Sequence, residues 1–141
     1  RQLIHSDIKP QNIFIDRKDH ATLVYFGIAR TMNSQVKDQT VYGTPGYISP
    51  EQITGHPATP RSDLYSLGVS LYEMVTGEMP FEDETMDLTL ENQLKRIPPK
   101  PSSLSDEIPS WMDQVIGKMM ARKPSDRYQS AREAYQAFPE L

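Results

Sequence analysis

The sequence predicts an α+β chain that is mainly α, in which a β-hairpin and a long polar loop feed a helical body. Three observations predict it. Short β-branched and aromatic runs are confined to the first 24 residues, a polar stretch without a sustained period follows, and from residue 62 onward apolar residues recur at three and four. At 141 residues, with 37% apolar and 24% charged residues, the chain has the size of one domain with one core.

Leu3-Ile4, Ile13-Phe14-Ile15 and Ala21 to Val24 read as short strands. Asp16-Arg17-Lys18-Asp19-His20 is turn chemistry, so the second and third runs are expected to pair as a hairpin. Thr31 to Gly46 is expected to form a long surface loop, and such loops in compact domains carry function or mobility. A helix is predicted from Ser62, capped by Ser62 or Asp63, with Leu64, Leu67, Leu71 and Val75 on one face and Tyr65, Val69 and Tyr72 on a second. Apolar nearly all round, it must be buried. Gly77 ends it, and Pro80 keeps it ended.

Thr85 to Arg96 is a predicted shorter helix with Met86, Leu90 and Leu94 on its apolar side, followed by a proline-rich extended stretch from Ile97 to Pro101. Ser110 to Arg122 is amphipathic through Trp111, Val115, Ile116, Met119 and Met120, which read as core, with Lys118 and Arg122 favourable near its C-terminus. Ser130-Ala131-Arg132-Glu133 has the form of a capping box and opens a last helix carrying Ala134, Tyr135 and Phe138.

A net charge of −4 supplies no broad basic surface for nucleic acid or anionic lipid. No apolar run approaches the roughly 20 residues that span a bilayer, and no signal-like segment opens the chain, so a cytoplasmic setting is expected. The absence of cysteine excludes disulfides and thiolate sites, and His5, His20 and His56 show no metal-ligand spacing. The chain starts at Arg1 rather than Met and runs straight into a strand-like segment, as a piece of a longer protein would.

His5-Ser6-Asp7-Ile8-Lys9-Pro10-Gln11-Asn12 is the first string that carries chemistry, setting a carboxylate and a neutral amide five residues apart on one short loop. It resembles the catalytic loop H-R-D-L-x-x-x-N of protein kinases. Tyr25-Phe26-Gly27 stands where the family has D-F-G, and Ser49-Pro50-Glu51 where it has A-P-E. Gly43-Thr44-Pro45-Gly46-Tyr47 is similar to the substrate-docking segment of serine/threonine kinases, and Ser62 to Gly68 to the family's buried central helix. Arg127, in Lys123-Pro124-Ser125-Asp126-Arg127-Tyr128, occupies the place of an Arg that pairs with the A-P-E Glu. These six motifs in family order cover essentially the whole chain, and the resemblance is closest to the bacterial eukaryotic-like serine/threonine kinases.

The resemblance implies a protein-kinase-like C-lobe from the catalytic loop onward, without the N-lobe. Residues 1–141 would form a partial kinase domain, with a catalytic loop at 5–12, a D-F-G equivalent at 25–27, an activation segment at 25–51 and a helical subdomain at 62–141. It implies ATP and Mg2+ as cofactors, and a protein substrate or protein partner. Asp7 would be the base, Lys9 would touch the transferred phosphate, Thr44 would bond both, and Asn12 would ligate the metal. His5, Glu51, Asp63 and Arg127 would be structural, since a buried carboxylate needs a cation or backbone donors beside it.

Two positions depart from the family. Tyr25 replaces the metal-binding Asp, and a phenol with a reference pKa of about 10 is a poor ligand for a hard cation. Asp16 and Asp19 sit at the far end of the hairpin and cannot stand in for it. Ser6 replaces the Arg that would anchor a phosphorylated activation loop, so modification of Thr31, Ser34, Thr40 or Tyr42 is not expected to switch the protein. No stretch supplies the glycine-rich loop, the phosphate-gripping Lys or the helix before the catalytic loop, which is expected to leave an apolar face of the central helix uncovered. The family function is ATP-dependent phosphorylation of protein Ser/Thr, with the 141 residues alone expected to be inactive. The alternatives are a pseudokinase acting as a binding module and a truncated, inactive gene product.

Overall fold

A computed structural model describes residues 3–25, 30–31 and 43–139, the side chains of 30 and 31 excepted. Phe26 and Gly27 of the D-F-G equivalent, and Ser34, Thr40 and Tyr42, lie outside the described residues.

Strand β1 (Leu3–Ile4) pairs antiparallel with β4 (Arg30–Thr31), and β2 (Ile13–Ile15) pairs with β3 (Ala21–Leu23), Phe14 facing Thr22. The hairpin is therefore as expected, whereas Thr31, read as the start of a loop, belongs to a strand. The hairpin turn is built by Asp16, whose Oδ1 accepts the amides of Lys18 at 2.7 Å and His20 at 3.0 Å.

Among the described residues five α-helices follow: α1 (Pro50–Ile53), α2 (Pro60–Thr76), α3 (Met86–Lys95), α4 (Trp111–Met119) and α5 (Ala131–Gln136). Helix α2 is the axis, buried on several faces. Tyr65, Val69 and Tyr72 join Tyr47, Phe81, Ile116 and Met120 in one core cluster, while Leu64 joins Val115, Met119, Tyr128 and Ala134 in another. Trp111 closes the second cluster edge-on against Phe138, with ring centroids 5.7 Å apart.

Helix α2 begins two residues earlier than Ser62, because Thr59 is the cap and Pro60 fills a position where no N–H is needed. The Ser62 Oγ accepts from the Thr59 amide at 2.9 Å, and Asp63 is not a cap at all. The helix ends at Gly77, whose φ of 76° provides the left-handed cap.

Helix α3 has the expected span but a rotated inner face: Thr89, Asn92 and Gln93 are buried, Leu90 and Leu94 are only half-buried, and Met86 is 59% exposed. Helix α4 stops at Met119, which leaves Arg122 beyond its end. Lys118 lies over the Tyr128 ring and beside Glu133. Ser130 caps α5 by accepting the Glu133 amide at 3.1 Å, but the Glu133 carboxylate takes the amide of Gln129 instead of closing a reciprocal box.

The uncovered apolar surface also falls elsewhere than expected. On α2, Met74 is the exposed large apolar residue, with Leu67, Leu71 and Val75 packed against the core; Leu3, Phe14 and Ile15, on β1 and the hairpin, face solvent. Among the described residues no helix is long and apolar enough to cross a membrane.

Candidate active site

The loop after β1 is shaped from below by one carboxylate of α2. Asp63 accepts the amide of His5 on Oδ2 at 2.7 Å and that of Ser6 on Oδ1 at 2.9 Å. Burial raises its pKa above the usual carboxylate range, against the pull of these two bonds. The two bonds hold Ser6 at φ 67°, a left-handed conformation that a residue with a side chain adopts only at a cost. Gly43 crosses directly over this bend at φ 132°, and a Cβ there would lie 3.2 Å from the Ser6 carbonyl oxygen and 2.9 Å from Ile48 Cγ1. Glycine is what lets the two segments touch.

His5 is buried and bonds on both sides of its ring. Nε2 lies 2.9 Å from the Val24 carbonyl oxygen, and Nδ1 accepts the Asp7 amide at 3.2 Å. A carbonyl can only accept and an amide can only donate, so this pattern assigns the Nε2–H tautomer. His5 thus ties the loop to the end of the hairpin, as a packed rather than a proton-carrying histidine would.

Pro10–Asn12 forms a single 3-10 turn that swings Asn12 back under the loop. The Asn12 Nδ2 donates to the Asp7 carbonyl at 2.8 Å and to Asp7 Oδ2 at 3.2 Å, and its own carbonyl accepts the Val24 amide at 2.9 Å. Against the other carboxylate oxygen stands Thr44. Its hydroxyl donates to Asp7 Oδ1 at 2.7 Å and accepts from Lys9 Nζ at 2.8 Å, while Lys9 also lies 3.6 Å from Asp7 Oδ2. A carboxylate, an ammonium and a hydroxyl converge here, with Asp7 and Lys9 21% and 24% exposed, so a hydroxyl-bearing molecule can reach them. Asp7, Lys9, Asn12 and Thr44 are brought together as the sequence expects.

Tyr25 is not part of that cluster in the same sense. It is 68% exposed and sits at φ 62°. The donors near the loop suit a magnesium ion poorly: with Nδ2 engaged, Asn12 has one amide oxygen to offer, Asp7 already serves Thr44, Lys9 and Asn12, and the residue after Val24 brings a phenol. Among the described residues no group of three His, Asp or Glu gathers anywhere, and the Asp16 carboxylate is spent on its own turn. A hard cation takes several charged or carbonyl oxygens, so these residues by themselves, without the oxygens of a bound nucleotide, do not fit one.

The framework pair lies on the other side of α2. Arg127 is 1% exposed and spends all five of its N–H donors: two on Glu51 at 2.8 Å each, and one each on the carbonyls of Ala121 (2.7 Å), Arg61 (2.9 Å) and Arg122 (3.1 Å). Its guanidinium stacks over the Tyr65 ring, 4.9 Å from the centroid. Ser62 adds a third bond to Glu51 at 2.7 Å. Burial alone would raise the Glu51 pKa; Arg127 and Ser62 more than offset it and hold the carboxyl below its usual range.

Three contacts escape the sequence patterns. Gln93 of α3 donates to the carbonyls of Gly46 and Ile48, Ser66 of α2 donates to the carbonyl of Tyr47 at 2.7 Å, and the Tyr47 hydroxyl donates to Glu73 at 2.5 Å. Burial and the Glu73 carboxylate drive the Tyr47 phenol well above its ordinary pKa. The available signal was small: a serine and a glutamine standing at inward positions of helices.

The protein kinase domain model matches residues 1–138. A probable serine/threonine-protein kinase of Clostridium perfringens is 42% identical over 135 residues, 93% of this chain and 19% of the relative. The serine/threonine-protein kinase Pkn1 of Myxococcus xanthus is 38% identical over 92% of this chain and 20% of its own length. The serine/threonine-protein kinase PknB of Mycolicibacterium smegmatis is 38% identical over 93% of the chain and 22% of its own. The chain thus spans about a fifth of the length of the curated relatives it matches. With a domain match over nearly all of its residues and relatives of about 40% identity, the chain belongs to the serine/threonine protein kinase family.

Proposed function

We propose that the chain is the acceptor-side lobe of a serine/threonine protein kinase, the part that holds a protein hydroxyl for phosphorylation, with the nucleotide-gripping lobe outside these residues. The observation that carries this reading is the Thr44 hydroxyl, held between Asp7 Oδ1 and Lys9 Nζ at 2.7 and 2.8 Å. An acceptor hydroxyl entering beside it meets the same carboxylate and the same ammonium. In transfer its oxygen bonds the γ-phosphorus of ATP, the bond from that phosphorus to the leaving ADP oxygen breaks, and the hydroxyl proton passes to Asp7. Lys9 lies where it meets the charge on the phosphate.

A second reading rests on Tyr25. With a phenol in place of a carboxylate, the lobe becomes a binding module that docks a protein through the 43–48 segment without catalysis. In either case the 141 residues alone transfer no phosphate, because most of the electrostatic positioning of the triphosphate has to come from elsewhere.

The test is γ-phosphate transfer from magnesium ATP to a basic protein, by the 141-residue chain and by the longest open reading frame that contains it, beside Asp7→Asn and Tyr25→Asp. Transfer by the longer protein that vanishes in Asp7→Asn is the expected result. Transfer that arises only in Tyr25→Asp selects the binding module. No transfer even in Tyr25→Asp would sink the acceptor-lobe reading.

A further inference from the structure

Three successive carbonyls of the segment after Thr44 are each held by a side chain from a helix. Ser66 of α2 bonds that of Tyr47, while a single atom of α3, Gln93 Nε2, bonds both Gly46 and Ile48, each at 2.8 Å. On the other edge of the segment, the amides of Tyr47 and Ile48 both donate to the carbonyl of Thr44, at 3.0 and 3.3 Å. The backbone of Thr44 is thereby fixed by the residues that Gln93 fixes. Its hydroxyl is the group that bridges Asp7 and Lys9.

We infer that Gln93 is a positioning residue for Thr44, acting through the 46–48 carbonyls to set the hydroxyl against Asp7. This deepens the acceptor-lobe reading and rests on it for its meaning in catalysis. Gln93 is 2% exposed and makes no contact with Asp7 or Lys9, so it acts only through the segment. The amide group is required: two N–H bonds on one nitrogen reach two carbonyls, whereas a carboxylate would turn acceptors toward acceptors and an apolar side chain would leave both carbonyls bare. The amide orientation is fixed by the same logic, since a flipped group would set Oε1 against the two carbonyls. Gln93 also borders the buried Tyr65 hydroxyl, whose pKa stands at about 12, raised chiefly by burial. The Arg127 guanidinium stacks on the ring of that tyrosine.

The test uses the 141-residue chain, with Gln93→Met and the shorter amide Gln93→Asn. Amide hydrogen exchange is read at Tyr47 and Ile48, and the methyl resonances of Thr44 and, as a control on α2, Thr76 are followed by NMR. The expected result is exchange about tenfold or more faster at Tyr47 and Ile48, with α2 and α4 unchanged, and a Thr44 methyl shift without one at Thr76. Unchanged protection at Tyr47 and Ile48 overturns the inference. So does a uniform rise across the chain, or failure of both variants to fold, because each makes Gln93 a general framework residue. Neither readout needs phosphate transfer: an inactive chain leaves a local loosening valid, and a null result here leaves the reading of Asp7, Lys9 and Thr44 in place.

Discussion

The Glu51–Arg127 pair and the Tyr25 corner are opposite solutions to placing a polar side chain. Arg127 is buried with every donor used, on a carboxylate that Ser62 also serves; Tyr25 is exposed, in a left-handed backbone conformation that a bulky residue rarely adopts. The first is over-determined by the helical body around it. The second is a bend kept by its neighbours: the Val24 carbonyl is held by His5 and the Val24 amide by Asn12. The loop around Asp7 and the 46–48 segment are joined to α2 through Asp63 and through Ser66, whereas the exposed Tyr25 side chain can change without disturbing the core.

The sharpest way to break the comparison is Arg127→Ala. It strands Glu51 and three carbonyls in the interior, and is expected to cost about 3–5 kcal/mol in urea unfolding. A loss below 1 kcal/mol would mean that the pair is not the brace described. Gly43→Ala comes next, at about 1–2 kcal/mol for its positive φ, with the contact on the Ser6 carbonyl added. Thr44 should lose its bond to Asp7 in that variant, visible as a shifted methyl resonance.

The two framework carboxylates also predict opposite pH slopes. Glu51 has a lowered folded pKa, so its stabilisation is present above its unfolded value of about 4.3 and is lost as pH falls through the folded value. Asp63 has a raised folded pKa, so its contribution is full below its unfolded value of about 3.9 and is lost as pH rises through the folded value. Unfolding free energy followed from pH 6 downward should therefore fall less steeply in Glu51→Gln than in the parent, and more steeply in Asp63→Asn. Equal slopes in all three proteins would refute the assignment. The smallest expected effect sits at the exposed corner: Tyr25→Asn relieves left-handed strain and should raise stability by up to about 1 kcal/mol, read in the same urea titration.

Much of this was legible in the sequence because it is local. The hairpin follows from turn chemistry between Ile15 and Ala21, the end of α2 from Gly77, and the approach of Lys9 and Asn12 to Asp7 from residues within eight positions of one another. The start of α2 was misplaced although Thr59-Pro60 with Ser62 is a readable cap, because the serine and aspartate that follow are equally good cap residues. The inner face of α3 was not legible. Apolar periodicity assigns Met86 to the core, yet the partners of Gln93 are carbonyls 45 and 47 positions away, and hydrogen-bond need across such a distance leaves no period. Gly43 is a similar case, since its close approach to Ser6 exists only in three dimensions.

The bend at Ser6 has one more consequence. Asp63 grips it by main-chain amides, so the loop keeps its shape whatever side chain residue 6 carries. The Ser6 side chain plays no part in that grip, which runs through its amide alone. The geometry of the bend is thus written into α2, more than fifty positions away, and residue 6 is free to vary in chemistry as far as those two bonds are concerned.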